Sequence, residues 1–194
     1  MERAIDAFID DVRGILAEHG PGDPGMARLV ARMGVLVRDP AVLAAHDAFL
    51  AALAGESAAL YADAGRHSQV LYTDDSGLTL VRSRFDPGEP TPIHSHSTWG
   101  VVGVYAGRDR HEAWRRVDAG DGPGEAVVEL IEERLLGPGD VVTIPHPPQD
   151  IHRQQGYGEP AYELVLFGRN AMVLPRLLFD PAAGTAREVI PGQR

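Results

Sequence analysis

Three histidines in two short stretches constrain this chain more than any other feature. Pro92-Ile93-His94-Ser95-His96 sets two imidazoles two residues apart, so that in a β-strand both side chains leave the same face. A third, His152, follows in Pro147-Pro148-Gln149-Asp150-Ile151-His152, after the turn-forming Gly137-Pro138-Gly139-Asp140. Three neutral nitrogen ligands leave coordination positions open, which is the pattern of a catalytic rather than a structural metal site. Cysteine is absent. Disulfides, thiolate ligands and cysteine nucleophiles are thereby excluded, and a transition metal has to be held by histidine and carboxylate.

The 194 residues suit one domain, or one domain with a helical appendage. With 28 acidic and 18 basic residues the formal charge is −10. That balance repels nucleic acid and anionic membranes, and no basic stripe with interleaved aromatics offsets it. A small-molecule partner is the expectation. No apolar run approaches the ~20 residues that span a bilayer, and Met1-Glu2-Arg3-Ala4 opens no signal-peptide pattern. A soluble cytoplasmic protein is expected, as a monomer or homodimer.

Residues 1–65 read as a helical subdomain. Ala4, Phe8, Ile9, Val12, Ile15 and Leu16 recur at helical spacing up to the breaker Gly20-Pro21-Gly22-Asp23-Pro24-Gly25. A second helix is predicted from Met26 to Val37 and a third from Asp39-Pro40 through Leu53, with Leu50 to Leu60 extending it or forming a fourth. Residues 66–194 change texture. Val70–Thr73, Leu78–Val81, Val101–Tyr105, Val127–Leu130, Val141–Ile144 and Leu164–Phe167 are short β-branched or aromatic runs separated by turn signals. Such spacing predicts a β-sandwich or barrel with the helices packed outside it.

The histidine spacing adds specificity. Gly88, five residues, His94, one residue, His96, then Gly107 eleven residues on resembles the first motif of cupin barrels, except that its usual glutamate falls at Gly100 or Val101. Gly139, five residues, Pro145 and then His152 resembles the second cupin motif with two residues inserted. The fold implied is mainly β: a cupin double-stranded β-helix, or jelly-roll barrel, with an N-terminal α-helical subdomain. Without the glutamate, three imidazoles leave a dication's charge uncompensated. Open positions then suit an anionic or chelating substrate beside dioxygen. Iron(II) is favoured, although imidazole also suits copper, nickel or zinc.

Pro92 to Gly107 further resembles the PIHxHxxWGxxGVxxG segment of bacterial thiol dioxygenases, the cysteine dioxygenase family and particularly its 3-mercaptopropionate branch. Asp150-Ile151-His152-Arg153 and Glu159-Pro160-Ala161 resemble that family's DIHRV and EPA segments, and the likeness runs from about Gln69 to Gly168. It implies that His94, His96 and His152 hold iron(II) and that both atoms of dioxygen, as co-substrate, are added to the sulfur of a small, anionic thiol to give a sulfinate.

Two departures loosen the substrate. The family's Ser-x-His-x-Tyr relay is replaced by Glu163, Val165 and Phe167. Plain cysteine is therefore not the expected thiol, and a larger or less polar one suits a pocket walled by Val165 and Phe167. Glu163 either acts as a base or metal-side carboxylate, or has drifted with the rest of its strand to packing. The family's carboxylate-binding arginine falls near Ser68, with Arg66 two residues earlier on the same face as a substitute and Arg82 and Arg84 as rivals. Trp99 is either a pocket wall or core. Asp150 orients His152 or caps the turn before it. His146 stands in a loop that can approach the metal or simply be exposed, while His19, His46, His67 and His111 have no partner spacing and read as structural. Two other functions remain open: a three-histidine oxygenase acting on a dicarbonyl or enolisable acid, with Glu163 as base, and a cupin that binds metal or ligand without turnover.

Overall fold

The computed structural model describes residues 1–53 and 66–191, with the side chains of all these except Ala52, Leu53, Arg66 and His67. Four helices come first: α1 (Glu2–His19), α2 (Asp23–Leu36), α3 (Pro40–Ala44) and α4 (His46–Leu53). α1 buries Ile5, Phe8, Ile9 and Val12 on one stripe, and α2 buries Leu29, Met33 and Leu36. Pro24 occupies the first turn of α2, where a missing N–H costs nothing. The side chain of Asp39 caps α3 by accepting the Ala41 N–H at 2.7 Å. The single helix predicted from Asp39 to Leu53 is instead broken at Ala45. The break lets His46 set its ring edge-on against Tyr162 and Tyr105, at 4.5 and 5.8 Å between centroids.

Twelve strands follow: β1 (Arg66–Thr73), β2 (Thr79–Phe85), β3 (Ile93–His94), β4 (Gly100–Ala106), β5 (Asp109–Arg116), β6 (Gly124–Glu125), β7 (Val128–Leu136), β8 (Val141–Ile144), β9 (Ile151–Gly156), β10 (Ala161–Phe167), β11 (Arg176–Asp180) and β12 (Thr185–Val189). They form a five-stranded sheet in the order β1-β2-β10-β4-β8 and a seven-stranded sheet in the order β6-β12-β11-β3-β9-β5-β7. Within these, β2-β10-β4-β8 lies against β3-β9-β5-β7, which is the strand order of a jelly roll. The protein is mainly β, with the cupin double-stranded β-helix its motif spacing implied.

Strand alternation gives each sheet two different faces. On the five-stranded sheet, Leu80, Val101, Tyr105, Leu164 and Leu166 meet Phe8, Ile9, Leu29 and Met33 of the helices. Its other face turns Val81, Val102, Val104, Val142, Val165 and Phe167 into the barrel. On the seven-stranded sheet, Ile93, Ile151 and Phe179 pack together outside the barrel. The residues alternating with them, His94 and His152 among them, therefore face its interior.

Two glycines permit close approaches. A Cβ on Gly103 in β4 would lie 2.7 Å from Met33 Cγ and from Val37 Cγ1, so α2 rides directly on that strand. Gly107, the last glycine of the first cupin-like motif, has φ +72 and would bring a Cβ within 1.8 Å of the Pro160 carbonyl oxygen. Gly103→Val is expected to lower stability by about 1–3 kcal/mol, seen as a fall in Tm by circular dichroism. An unchanged Tm would show that α2 is not seated there.

Candidate metal centre

β3 and β9 pair so that His94 stands directly opposite His152. Directly opposed residues of antiparallel strands share a face, with Cβ atoms ~5 Å apart, and this places two imidazoles side by side. His96 arrives differently. Alternation along one strand predicts the His94/His96 pair, but β3 ends at His94. The chain then turns through Ser97, a non-glycine residue at φ 58. That left-handed conformation is held from outside. Asp150 Oδ2 accepts the backbone N–H groups of His96 at 2.8 Å and Ser97 at 2.7 Å, and Ser97 Oγ donates to the Pro175 carbonyl at 2.5 Å. Ser95 exchanges two further bonds with the backbone of Leu177, each 3.0 Å.

The three rings converge. Their centroids lie 4.6 Å (His94–His96), 4.6 Å (His94–His152) and 4.9 Å (His96–His152) apart, and one nitrogen from each falls within 4.8 Å of the others. His96 Nε2 and His152 Nε2 approach to 2.8 Å. The His94 Nδ1 lies 2.8 Å from the Pro92 carbonyl, a bond that fixes Nδ1 as the protonated nitrogen and leaves Nε2 to ligate. All three are buried, at 3%, 6% and 3% exposure. Burial pushes His152 well below the usual imidazole range, and the neighbouring His94, His96, His111 and Arg176 push it the same way. A neutral imidazole is the form that binds metal. The donor set therefore fits a borderline transition-metal dication with open coordination positions.

Other predicted residues fall in three places. Phe167, Val165 and Glu163 all face the barrel interior, but at increasing depth from the imidazoles. The Phe167 ring is 4.8 Å from that of His96. Val165 packs with Val81 and Val102 below it. Glu163, fully buried, accepts the Gln154 Nε2–H at 2.7 Å, and the same nitrogen lies 3.3 Å from Asp109 Oδ2. Its partner is thus the Gln154 amide of β9, and it is not among the groups that converge with the imidazoles, which corrects the expectation of a metal-side carboxylate.

Arg82, Arg84 and Trp99 lie on the far side of the five-stranded sheet. Arg82, 1% exposed, bonds the Ala45 carbonyl and Met1 Sδ and stacks over Phe49 and Tyr105. Arg84 pairs with Asp86 and lies over Tyr162. Trp99 belongs to the helix-facing core, packed over Gly168. Both arginines alternate with Val81 and Ser83, which take the barrel face, so neither is a substrate anchor, and Trp99 is core. The side chain of Arg66 lies outside the described residues; its backbone pairs with Phe85. Asp150 braces the His96–Ser97 backbone rather than His152. His146 bonds the Pro21 carbonyl instead of approaching the metal.

Two residues near the imidazoles have no motif to announce them. His111 on β5 sets its ring 5.2 Å from that of His152. Arg176 on β11 shares the barrel-side face with His94, because Leu177 and Phe179 take the outer face, and its Nη2 donates to the Ala171 carbonyl at 2.7 Å. Strand alternation outward from His152 identifies Gln154 as inward; nothing comparable marks β5 or β11. A surface groove of about 730 Å3 lies between α2 and β8 and is lined by none of the three histidines.

No protein-family model matches the chain. Among solved structures, KdgF from a Halomonas species is similar at 21% identity over 54% of this chain and 81% of that one, with a TM-score of 0.40. An oxalate oxidase is similar at 22% identity over 58% of this chain and 55% of its own, about half its length, with a TM-score of 0.45. A cupin-like protein from Thermotoga maritima is similar at 19% identity over 59% and 75%, with a TM-score of 0.39. These likenesses concern the barrel fold and not its chemistry.

Removing the Asp150 carboxylate leaves two buried N–H groups unpaired beside a ligand. Asp150→Ala is expected to weaken metal binding about 10- to 100-fold in a metal titration; unchanged affinity would contradict its bracing role. Burial holds the Glu163 carboxyl well above the ordinary carboxylate range, and the Asp109 charge pushes the same way against the Gln154 bond. The folded chain then keeps a proton that the unfolded chain gives up above about pH 4.3, so this group's contribution makes stability fall as pH rises from there. Glu163→Gln should gain stability relative to the parent between about pH 4 and pH 8 in urea unfolding. A difference independent of pH would contradict the shift.

Proposed function

We propose that this cupin is a mononuclear iron(II)-dependent dioxygenase that oxidises a small anionic thiol other than plain cysteine to its sulfinate. The observation that carries the reading is the convergence of three buried imidazoles on one point, His94, His96 and His152. Among the described residues no carboxylate joins them. An iron ion held there would supply Lewis acidity and a meeting point for thiolate and dioxygen.

The chain's own residues supply the surroundings. Phe167 against His96, with Val165 beneath, makes one wall apolar and keeps water from that side. This suits a thiol with more apolar bulk than cysteine. Arg176, on the barrel-side face with His94, supplies positive charge in a chain whose net charge is −10, and thereby favours an anion. It takes the place expected of Arg82 or Arg84.

The missing relay favours one further reading, a chelating dicarbonyl or enolisable acid bound through oxygen. In that reading the base would be Glu163, whose Oε2 accepts from Gln154 below the three imidazoles.

Metal analysis of untagged protein is expected to find about one iron per chain, in keeping with a single three-ligand site. Oxygen uptake should occur with thiols and yield sulfinate; uptake with diketones alone would overturn the thiol substrate. His152→Ala is expected to lose stoichiometric metal, and retained iron would refute the ligand set.

A further inference from the structure

Below the three histidines the barrel encloses two carboxyls with no exposure at all, Asp109 on β5 and Glu163 on β10. One amide nitrogen serves both: Gln154 Nε2 lies 2.7 Å from Glu163 Oε2 and 3.3 Å from Asp109 Oδ2. Two fully buried carboxyls gathered on one amide nitrogen repel if both ionise, which favours one proton between them. Glu163 Oε1 has no donor in reach, as suits an oxygen that itself carries the proton. The groups around the pair are few. His111 Nδ1 lies 3.4 Å from Asp109 Oδ2 on β5, β9 contributes neutral Gln154, and β2 and β4 place Ser83 and Val104 opposite Glu163. β7 places Leu136 opposite Asp109. Among the described residues no arginine pairs with either acid. Gln154 follows His152 by two residues on one strand face, so the amide that gathers the acids sits roughly 7 Å deeper in the same low-dielectric interior.

We propose that Asp109 and Glu163 share one proton in the metal-free barrel and release it when a divalent ion occupies His94, His96 and His152, so that the pair becomes the ion's counter-charge. This rests on the metal-binding reading above. The logic is charge balance. Three neutral ligands leave both positive charges of the ion in a water-poor interior, and nearby carboxyls respond by ionising. The O–H bond of Glu163 breaks, both electrons stay on its oxygen, and the proton passes to solvent; nothing is oxidised or reduced. A cleft of about 80 Å3 at the unpaired seam between β7 and β8, lined by His111, Glu132, Arg134 and Thr143, opens on this side of the barrel and is the exit we assign to the proton.

Infrared difference spectroscopy on metal-free protein at about pH 8, where ordinary histidines are already neutral, tests the claim with zinc(II) as the probe. The expected result is a protonated-carboxyl band in the parent that is missing in Glu163→Gln and disappears from the parent when zinc is added. Calorimetry in buffers of different ionisation enthalpy should then find about one proton released per zinc in the parent and nearly none in the variant. Correspondingly, the parent's zinc affinity should rise about tenfold per pH unit and the variant's stay flat. Zinc binding that leaves the band in place, or equal proton release by parent and variant, would overturn this proposal alone. Absence of zinc binding to the parent would overturn it together with the metal site.

Discussion

The pairing of β3 with β9, with His94 opposite His152, is the constraint on which the rest of the site depends. A slip of one residue would turn both imidazoles out of the barrel and bring Ile93 and Ile151 in. The register is fixed from both faces. Ile93 and Ile151 bury outward against Phe179, while β3 is short enough that its other side is pinned by β11. His96 depends on the same pairing at one remove, through the Asp150 carboxylate that holds the turn after β3.

The barrel interior is divided between its two sheets. The five-stranded sheet contributes chiefly valines and Phe167, with Ser83 and Glu163 as its polar exceptions, and its opposite face packs apolar residues against the helices. The seven-stranded sheet contributes His94, His152, His111, Gln154 and Asp109. Apolar burial at ~25 cal/mol per Å2 comes from the first sheet and the helical layer, and leaves the second free to carry polar groups that would otherwise weaken a core. Each polar group then needs a partner, since an unpaired one costs about 1–3 kcal/mol. Gln154 meets part of that demand, its amide serving both Glu163 and Asp109.

Much of this was legible in sequence for simple reasons. The metal ligands were readable because imidazole spacing and glycine turns are local signals, and Gly88, Gly107 and Gly139 all take positive φ. Strands with an apolar inner or outer face, such as Val101–Tyr105 and Leu164–Phe167, announced themselves by β-branched residues. β5, β9 and β11 did not. Asp109-Arg110-His111-Glu112 and Ile151-His152-Arg153-Gln154-Gln155 read as polar loops because both their faces carry polar groups, one toward solvent and one toward the buried site. Arg82 misled for a related reason. Alternation puts it on one face with Arg84, but only tertiary structure reveals that the helices cover that face. His111, Asp109 and Arg176 reach the site through strand pairing across long sequence separations, which no local pattern records.

The central claim is that three imidazoles and no protein carboxylate hold the metal. X-ray absorption at the metal edge of the iron-loaded full chain addresses it most directly. The expected spectrum shows the multiple scattering of three histidine rings, reduced to two in His152→Ala if any metal is retained. A first shell with fewer than three imidazoles in the parent, or with carboxylate oxygen from Glu163, would contradict the account.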